Sequence, residues 1–259
     1  MDSRGVRRSR REEEEESYFI SMADMMVGLL FIFIILLLYF ALQFRHTTDA
    51  LTGADKTRKE ILETLEEKLN LRFKPYNLKV TINTETGVLS LPDKILFGTG
   101  QYILSPQGRE AVSIVAQELA HVLPCYTDMA SDVSKPDNCP IAQHKIDAIF
   151  VEGHTDSVPL ARSGLLADNL DLSTLRATNT FRQIVKTAPE LNMLMNASGK
   201  RPVPILSVSG YGDQRPVDDV TGTPEEVNAR NRRIDLRFLM ITPHSDTGDE
   251  ISKRIAGGV

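Results

Sequence analysis

The sequence predicts an α/β (α+β) sandwich domain, with helices on one face of a sheet, preceded by a single transmembrane helix and a connector helix. Three observations carry that prediction. Met25 to Leu42 is an uninterrupted run of eighteen uncharged, mostly apolar residues, close to the ~20 that span the hydrocarbon core of a bilayer. Between Leu78 and Ile241, strand-like alternation and helix-like periodicity take turns along the chain, the pattern of a mixed α/β layer structure. The composition over 259 residues, 41% hydrophobic and 25% charged, is globular, which excludes a fully disordered chain and a polytopic membrane protein. The length allows one large domain or two small ones, and no repeat of 20–50 residues is visible. With 30 Lys and Arg against 35 Asp and Glu, the net charge of −5 offers no basic footprint, so nucleic acid is not an expected partner.

Residues 1–17 form a charged tail in which Arg4, Arg7, Arg8, Arg10 and Arg11 precede Glu12 to Glu16. Residues 18–44 are the membrane helix. The apolar run is too long for a signal peptide and ends in AlaLeuGlnPheArgHis, without a small-residue cleavage site, so it reads as an uncleaved anchor. The arginines precede the helix and only Arg45 lies close on its far side. The N-terminus is therefore expected in the cytoplasm of a bacterial cell and the C-terminal domain in the periplasm, across the inner membrane.

Residues 45–75 are a connector. Ile61, Leu62, Leu65 and Leu69 recur at helical spacing among charged residues, which predicts an amphipathic helix ended by Pro75. Two readings stay open: a helix packed on its own domain, or a partner helix or inhibitory plug near the membrane. A folded domain is expected over 76–242. Leu78, Val80 and Ile82 alternate with polar residues, and Gly87 separates them from Val88–Leu91, a hairpin pattern. Ser105 and Pro106 open a helix carrying Ala111, Ile114, Val115, Leu119 and Val122. Ile146–Val151 is a short apolar strand, a helix follows over about 173–186, and strands are expected at 205–209 and 234–241. The tail over 243–259 reads as flexible.

Asp24 is the sharpest single residue. It sits at the start of the apolar run, where an ionised carboxylate costs a few kcal/mol or more and a short side chain cannot snorkel far. The bland alternative is a carboxylate at the interface; the functional one is an ion carrier. Ser21 and Ala23 beside it would let another helix approach closely, and one helix alone makes no ion path, so a membrane partner is implied. The only two cysteines, Cys125 and Cys139, bound a polar stretch in the exported part, where a disulfide is expected. His121 and His144 with the same cysteines would make a tetrahedral zinc set, and two free thiols are the third alternative.

Several runs are weak singly and strong in order: PheGlyThrGly at 97–100 with SerProGlnGly at 105–108, GlyHisThrAsp at 153–156, AsnLeuAspLeuSerThrLeuArgAla at 169–177, SerGlyTyrGlyAspGlnArgProVal at 209–217 and AsnArgArgIleAsp at 231–235. Together they resemble the OmpA-like peptidoglycan-binding domain over residues 78–241. The resemblance implies that Asp156 and Arg176 hold the diaminopimelate residue of the wall peptide, with Asn169, Leu172 and Arg233 in support. The chemistry is coherent: a carboxylate complements an ammonium, and a guanidinium fork holds a carboxylate. Without the resemblance, Arg176 would read as a surface ion pair and His154 as a packed histidine.

The anchor, the connector and this domain together resemble a MotB-type stator subunit, and SerMetAlaAspMetMet at 21–26 resembles that family's aspartate motif. The resemblance implies a homodimer inside a ring of a MotA-like multi-pass membrane protein, bound to peptidoglycan and driven by an ion moving through Asp24. No cofactor is implied; H⁺ is the expected coupling ion, since Na⁺ wants several oxygen ligands, which a partner could nevertheless supply. The balanced tail and the cysteine-bounded insertion resemble members of the anti-phage Zorya systems more than flagellar ones. A passive tether between membrane and wall is the rival binding class. Catalysis is not expected: His154, Asp156 and Ser157 adjoin in sequence without defining a nucleophile and base.

Overall fold

The computed structural model describes residues 3–76, 78–129, 139–140, 144–160, 166–196 and 201–241. The chain divides into two compact units, Met1–Leu51 and Thr52–Val259.

The first unit consists of helix. Helix α1 (Ser3–Phe73) starts well before the apolar run. The arginine and glutamate block expected as a charged tail is thus helical in its backbone, which fits the high helix propensity of both residue types. Met22–Arg45 is long and apolar enough to cross a membrane, the one such stretch among the described residues. Every side chain in it is exposed.

In the second unit, the last part of α1 belongs to the domain core. Ile61, Leu62, Leu65, Leu69 and Phe73 are each fully buried and join the main apolar cluster. Of the two readings of the amphipathic stretch, packing on its own domain is the one the structure displays for 61–73. The compact unit therefore begins at Thr52 rather than at residue 76, because the domain's core borrows these side chains from the connector. Helix α1 ends at Phe73, ahead of Pro75.

A five-stranded sheet follows, built from β1 (Thr81–Asn83), β2 (Val88–Pro92), β4 (Ile146–His154), β7 (Leu206–Gly210) and β8 (Arg233–Met240). Its order is β1-β2-β8-β4-β7. Strands β4 and β7 are parallel and the other neighbours antiparallel. Helices α3 (Pro106–Val122) and α4 (Asn169–Thr187) pack together, with α4 lying on β4 and β7. As the sequence indicated, Ser105 caps α3, its Oγ accepting from the Gly108 N–H at 2.8 Å.

The elements not foreseen are small. Helix α2 (Asp93–Leu96) links β2 to the PheGlyThrGly turn. Helix α5 (Pro224–Asn231) starts at a capping box made by Thr223 and Glu226. Strands β3 (Asp128–Met129), β5 (Leu194–Asn196) and β6 (Val203–Pro204) form a second sheet, too short to show a period. Beside it Cys125 and Cys139 are joined by a disulfide with Cα atoms 5.0 Å apart. Their sulfurs bond each other, which leaves no thiolates for the zinc alternative. Closing this loop stabilises the fold by about 3 kcal/mol in the chain-entropy model. The tail expected over 243–259 lies outside the described residues.

Two outcomes follow for stability. Leu65→Ala should lower the unfolding free energy by about 2–5 kcal/mol, whereas Leu71→Ala, at a position 73% exposed, should change it by less than about 0.5 kcal/mol. A soluble fragment starting at Thr52 should melt cooperatively by circular dichroism, and one starting at residue 76 should not.

Candidate functional site

The site is set by how closely α4 approaches the sheet. Gly153 and Gly210 face each other in the β4–β7 register. A Cβ on Gly153 would lie 2.0 Å from the Ser173 carbonyl oxygen, and one on Gly210 would lie 2.1 Å from Thr174 Oγ1. No residue but glycine fits at either position. The contact is stitched by polar bonds: the Gly212 N–H donates to Ser173 Oγ at 2.8 Å, the Thr155 N–H to the Gly212 carbonyl at 2.8 Å and the Tyr211 N–H to the Gly153 carbonyl at 3.0 Å.

Asp168 caps α4, accepting from the N–H groups of Leu170 and Asp171. The cap fixes the phase of the helix and so sends Asn169, Leu172 and Arg176 into one cleft. Asn169 Nδ2 donates to the carbonyls of Asp156 and Val158 at 3.2 and 3.0 Å, pinning the loop after β4. That loop presents Asp156, whose Oδ1 accepts from the Val158 N–H at 3.2 Å and whose Oδ2 accepts from Arg232 Nη1 at 2.5 Å. Arg232 also donates from Nη2 to Glu225 at the rim, at 2.8 Å.

Deeper in, Arg176 is only 2% exposed. Its Nε donates to the Gln101 carbonyl at 2.8 Å, its Nη2 to the Gly98 carbonyl at 3.3 Å, and its Nη1 lies 3.1 Å from Asp93 Oδ2. The guanidinium also sits over the Phe97 ring, 5.0 Å from its centroid. Arg176 thus holds the PheGlyThrGly turn in place as one wall of the cleft. Burial pushes the Asp93 carboxyl up to about 6, against the pull of Arg176 and Arg232. The cleft measures about 510 Å³ and has apolar walls from Phe97, Val158, Pro159 and Leu160.

Of the expected site residues, Asp156, Asn169, Leu172 and Arg176 come together here. Arg233 does not; the second arginine in the cleft, beside Arg176, is its neighbour Arg232. Adjacent residues entering a strand point to opposite faces, and Arg233 turns to Asp235, its Nε 2.9 Å from Oδ2. AsnArgArg gave no sign of which arginine would face the cleft. Asp93 went unread altogether, since no motif residue adjoins it. Asp24 lies exposed on α1, in the other unit.

The opposite face of the sheet carries a second, closed cluster. Glu152, His154 and Asp235 are each at most 2% exposed, with ligand-capable atoms within 4.8 Å of one another. Such a trio could hold a metal, but its carboxylates already carry guanidiniums. Arg237 Nε lies 2.9 Å from both Glu152 oxygens, and Arg233 serves Asp235. His154 Nε2 lies 3.3 Å from Asp235 and 3.8 Å from Glu152, and its ring stacks on Tyr211. His154 and Asp156 therefore serve different partners, which removes the geometry an acid–base pair would need.

Together these elements define a mixed α/β domain with a charged cleft at the head of α4, in a chain that also carries one apolar helix long enough to cross a membrane. No family model matches the chain. It is 21% identical over 249 residues to Zorya protein ZorB of Escherichia coli O139:H28, covering 95% of this chain and 91% of that one. It is 24% identical over 188 residues to Motility protein B of Bacillus subtilis strain 168, covering 72% of this chain and 58% of that one. Among solved structures, a MotB-like protein from Desulfovibrio vulgaris aligns with a TM-score of 0.49 and 18% identity, over 73% of this chain and 97% of that one. The chain resembles ZorB over nearly its whole length, and Motility protein B over most of it.

The closed cluster sets the acid stability of the domain. Burial pushes the Glu152 carboxyl up, but His154 and Arg237 outweigh it and hold it below its usual value. Asp235 is likewise pushed up by burial and held down by His154, Arg233 and Ser90. Groups depressed in the folded state add stability above their unfolded values near pH 4, and that stability is lost as pH falls through the folded values. Thermal melts between pH 7 and 3 should show this loss. Glu152→Gln should be less stable at pH 7 by about 1.5–3 kcal/mol, since it takes the charge partner from the half-buried Arg237, and should show a shallower acid limb.

Proposed function

We propose that this chain is the wall-anchored stator subunit of a proton-driven rotary motor in the bacterial inner membrane, acting in anti-phage defence. The observation that carries the reading is the single cleft uniting Asp156, Asn169, Leu172 and Arg176, in a chain that also bears Asp24 near the start of an apolar helix. In this reading the cleft takes the diaminopimelate residue of peptidoglycan. The ligand's ammonium meets Asp156, and its carboxylate takes the guanidinium of Arg232, opening the Asp156–Arg232 pair. Arg176 acts from beneath by fixing the Phe97–Gln101 wall.

The rest of the reading rests on the likeness to ZorB and on the charge pattern. Arginines ahead of the helix orient the N-terminus to the cytoplasm and place the domain in the periplasm, where a disulfide is stable. Two copies sit within a ring of a ZorA-like, MotA-type multi-pass protein, and a proton passing by way of Asp24 turns the ring while the wall holds this subunit still. One charge crossing 100 mV releases about 2.3 kcal/mol, a usable step. The work is binding and ion coupling, with no catalytic step. A flagellar stator would use the same parts; the full-length similarity to ZorB favours defence.

Asp156→Ala, Arg232→Ala and Arg176→Ala should each abolish co-sedimentation of the full chain with purified peptidoglycan. Unchanged retention in all three would overturn the wall reading. Asp24→Asn should leave expression and wall binding intact but remove protection in a phage plaque assay with the partner genes present. A passive tether would tolerate that substitution, so full protection would instead establish the tether.

A further inference from the structure

The cleft holds two polar atoms that the fold itself leaves unanswered. Asp93 is 6% exposed and Thr155 4% exposed, and both line the cleft. Asp93 Oδ2 faces Arg176, but its Oδ1 is buried and, among the described residues, accepts no hydrogen bond; Thr155 Oγ1 is in the same condition. Buried polar atoms without partners are rare in native structures and call for a specific explanation. Both orphans belong to residues that line the cleft, and Asp156 lines it too.

An ammonium group carries three donors. Asp93 Oδ1, Thr155 Oγ1 and the Asp156 carboxylate are three acceptors around one cleft. Resting on the wall-binding reading, we propose that Asp93 is a second ligand-reading carboxylate, sharing the ammonium of the wall diamino acid with Thr155 and Asp156, and so restricting the cleft to ligands with a free amino group. The substrate class then narrows to peptides whose diamino acid is not acylated at that nitrogen, since an amide there would leave Asp93 Oδ1 buried and unpaired.

A pH dependence follows. Asp93 is faced by Arg176 on α4, by Arg232 and Glu225 from the α5 end and by Asp156 from the loop after β4, with Lys94 beside it on α2. Burial pushes Asp93 up to about 6; Arg176 and Arg232 oppose this and Asp156 adds to it. Only the ionised carboxylate attracts the ammonium. The ligand's own amino and carboxyl groups do not titrate between pH 5 and 7, so protonation of Asp93 should weaken binding as pH falls, by about tenfold from pH 7 to pH 5.

The test is isothermal titration of the full chain in detergent with meso-diaminopimelate from pH 5 to 8. Wild type should bind about tenfold more weakly at pH 5 than at pH 7. Asp93→Asn should bind about tenfold more weakly at pH 7 and lose the slope. Thr155→Val should weaken binding severalfold, retain the slope and keep the wild-type melting temperature. The ε-N-acetylated amino acid should not bind. Asp93→Asn with wild-type affinity and slope would overturn the proposal, as would a flat wild-type profile with an unaffected Thr155→Val should Asp93→Asn fail to fold. If Asp156→Ala and Arg232→Ala also bind as wild type, or if wild type binds nothing, the wall reading itself fails, a result distinct from loss of the Asp93 effect alone.

Discussion

The close approach of α4 to β4 and β7 governs the geometry of the cleft. Gly153 and Gly210 remove the side chains that would hold the helix off the sheet, and Ser173 and Thr174 move into the space. The cost is two glycines with extra backbone freedom to lose in strand interiors. The gain is that the first turns of α4 stand directly over the ends of two parallel strands. Asn169 then reaches the loop after β4, Arg176 reaches the PheGlyThrGly turn, and the cleft between them has fixed walls.

A buried ion pair reinforces that arrangement without being a strong source of stability. Arg176 and Asp93 both lose solvent, and desolvation consumes much of what their attraction returns. Their value is positional. Arg176 places one donor on each of two carbonyls and another on Asp93, so the turn, α2 and α4 are fixed relative to one another. Arg176 and Arg232 both line the cleft; Arg232 is the less buried of the two and is tied to Asp156.

What the sequence made legible depended on local signals. Ser105–Pro106 specified a helix start by its own chemistry, and the alternation through Val80 and Ile82 and through Val88–Leu91 specified a hairpin. Four of the five residues named by the ordered motif runs line one cleft. The failures share a cause: meaning that exists only after folding. Asp93 lies eighty-three positions from Arg176 in sequence, and nothing local marks it as a buried partner. Arg232 and Arg233 are chemically identical neighbours, so a one-residue choice of face decides which of them lines the cleft. The domain boundary fell short because amphipathic spacing at 61–73 shows that a helix has an apolar face, not what covers it. The capping box at Thr223 and Glu226 was readable and passed unread.

The two arginines at the start of β8 lie on opposite sides of the sheet. Arg233 faces the closed side of the sheet, where the buried carboxylates of Asp235 and Glu152 meet the guanidiniums of Arg233 and Arg237 beside His154. Removing a guanidinium there would leave a carboxylate buried without its charge partner. Arg232 faces the other side, where its partner Asp156 lines an open cleft and, among the described residues, two buried polar atoms of Asp93 and Thr155 have no hydrogen-bond partner. Both sites are rich in carboxylates and guanidiniums, so charge content alone does not distinguish them. The difference is which carboxylates are shut in with their guanidiniums and which line an open cleft. On the closed face the pairing answers to pH through stability; in the cleft, under the proposed reading, Asp156 gives up Arg232 for the ligand's ammonium, with Asp93 and Thr155 beside it.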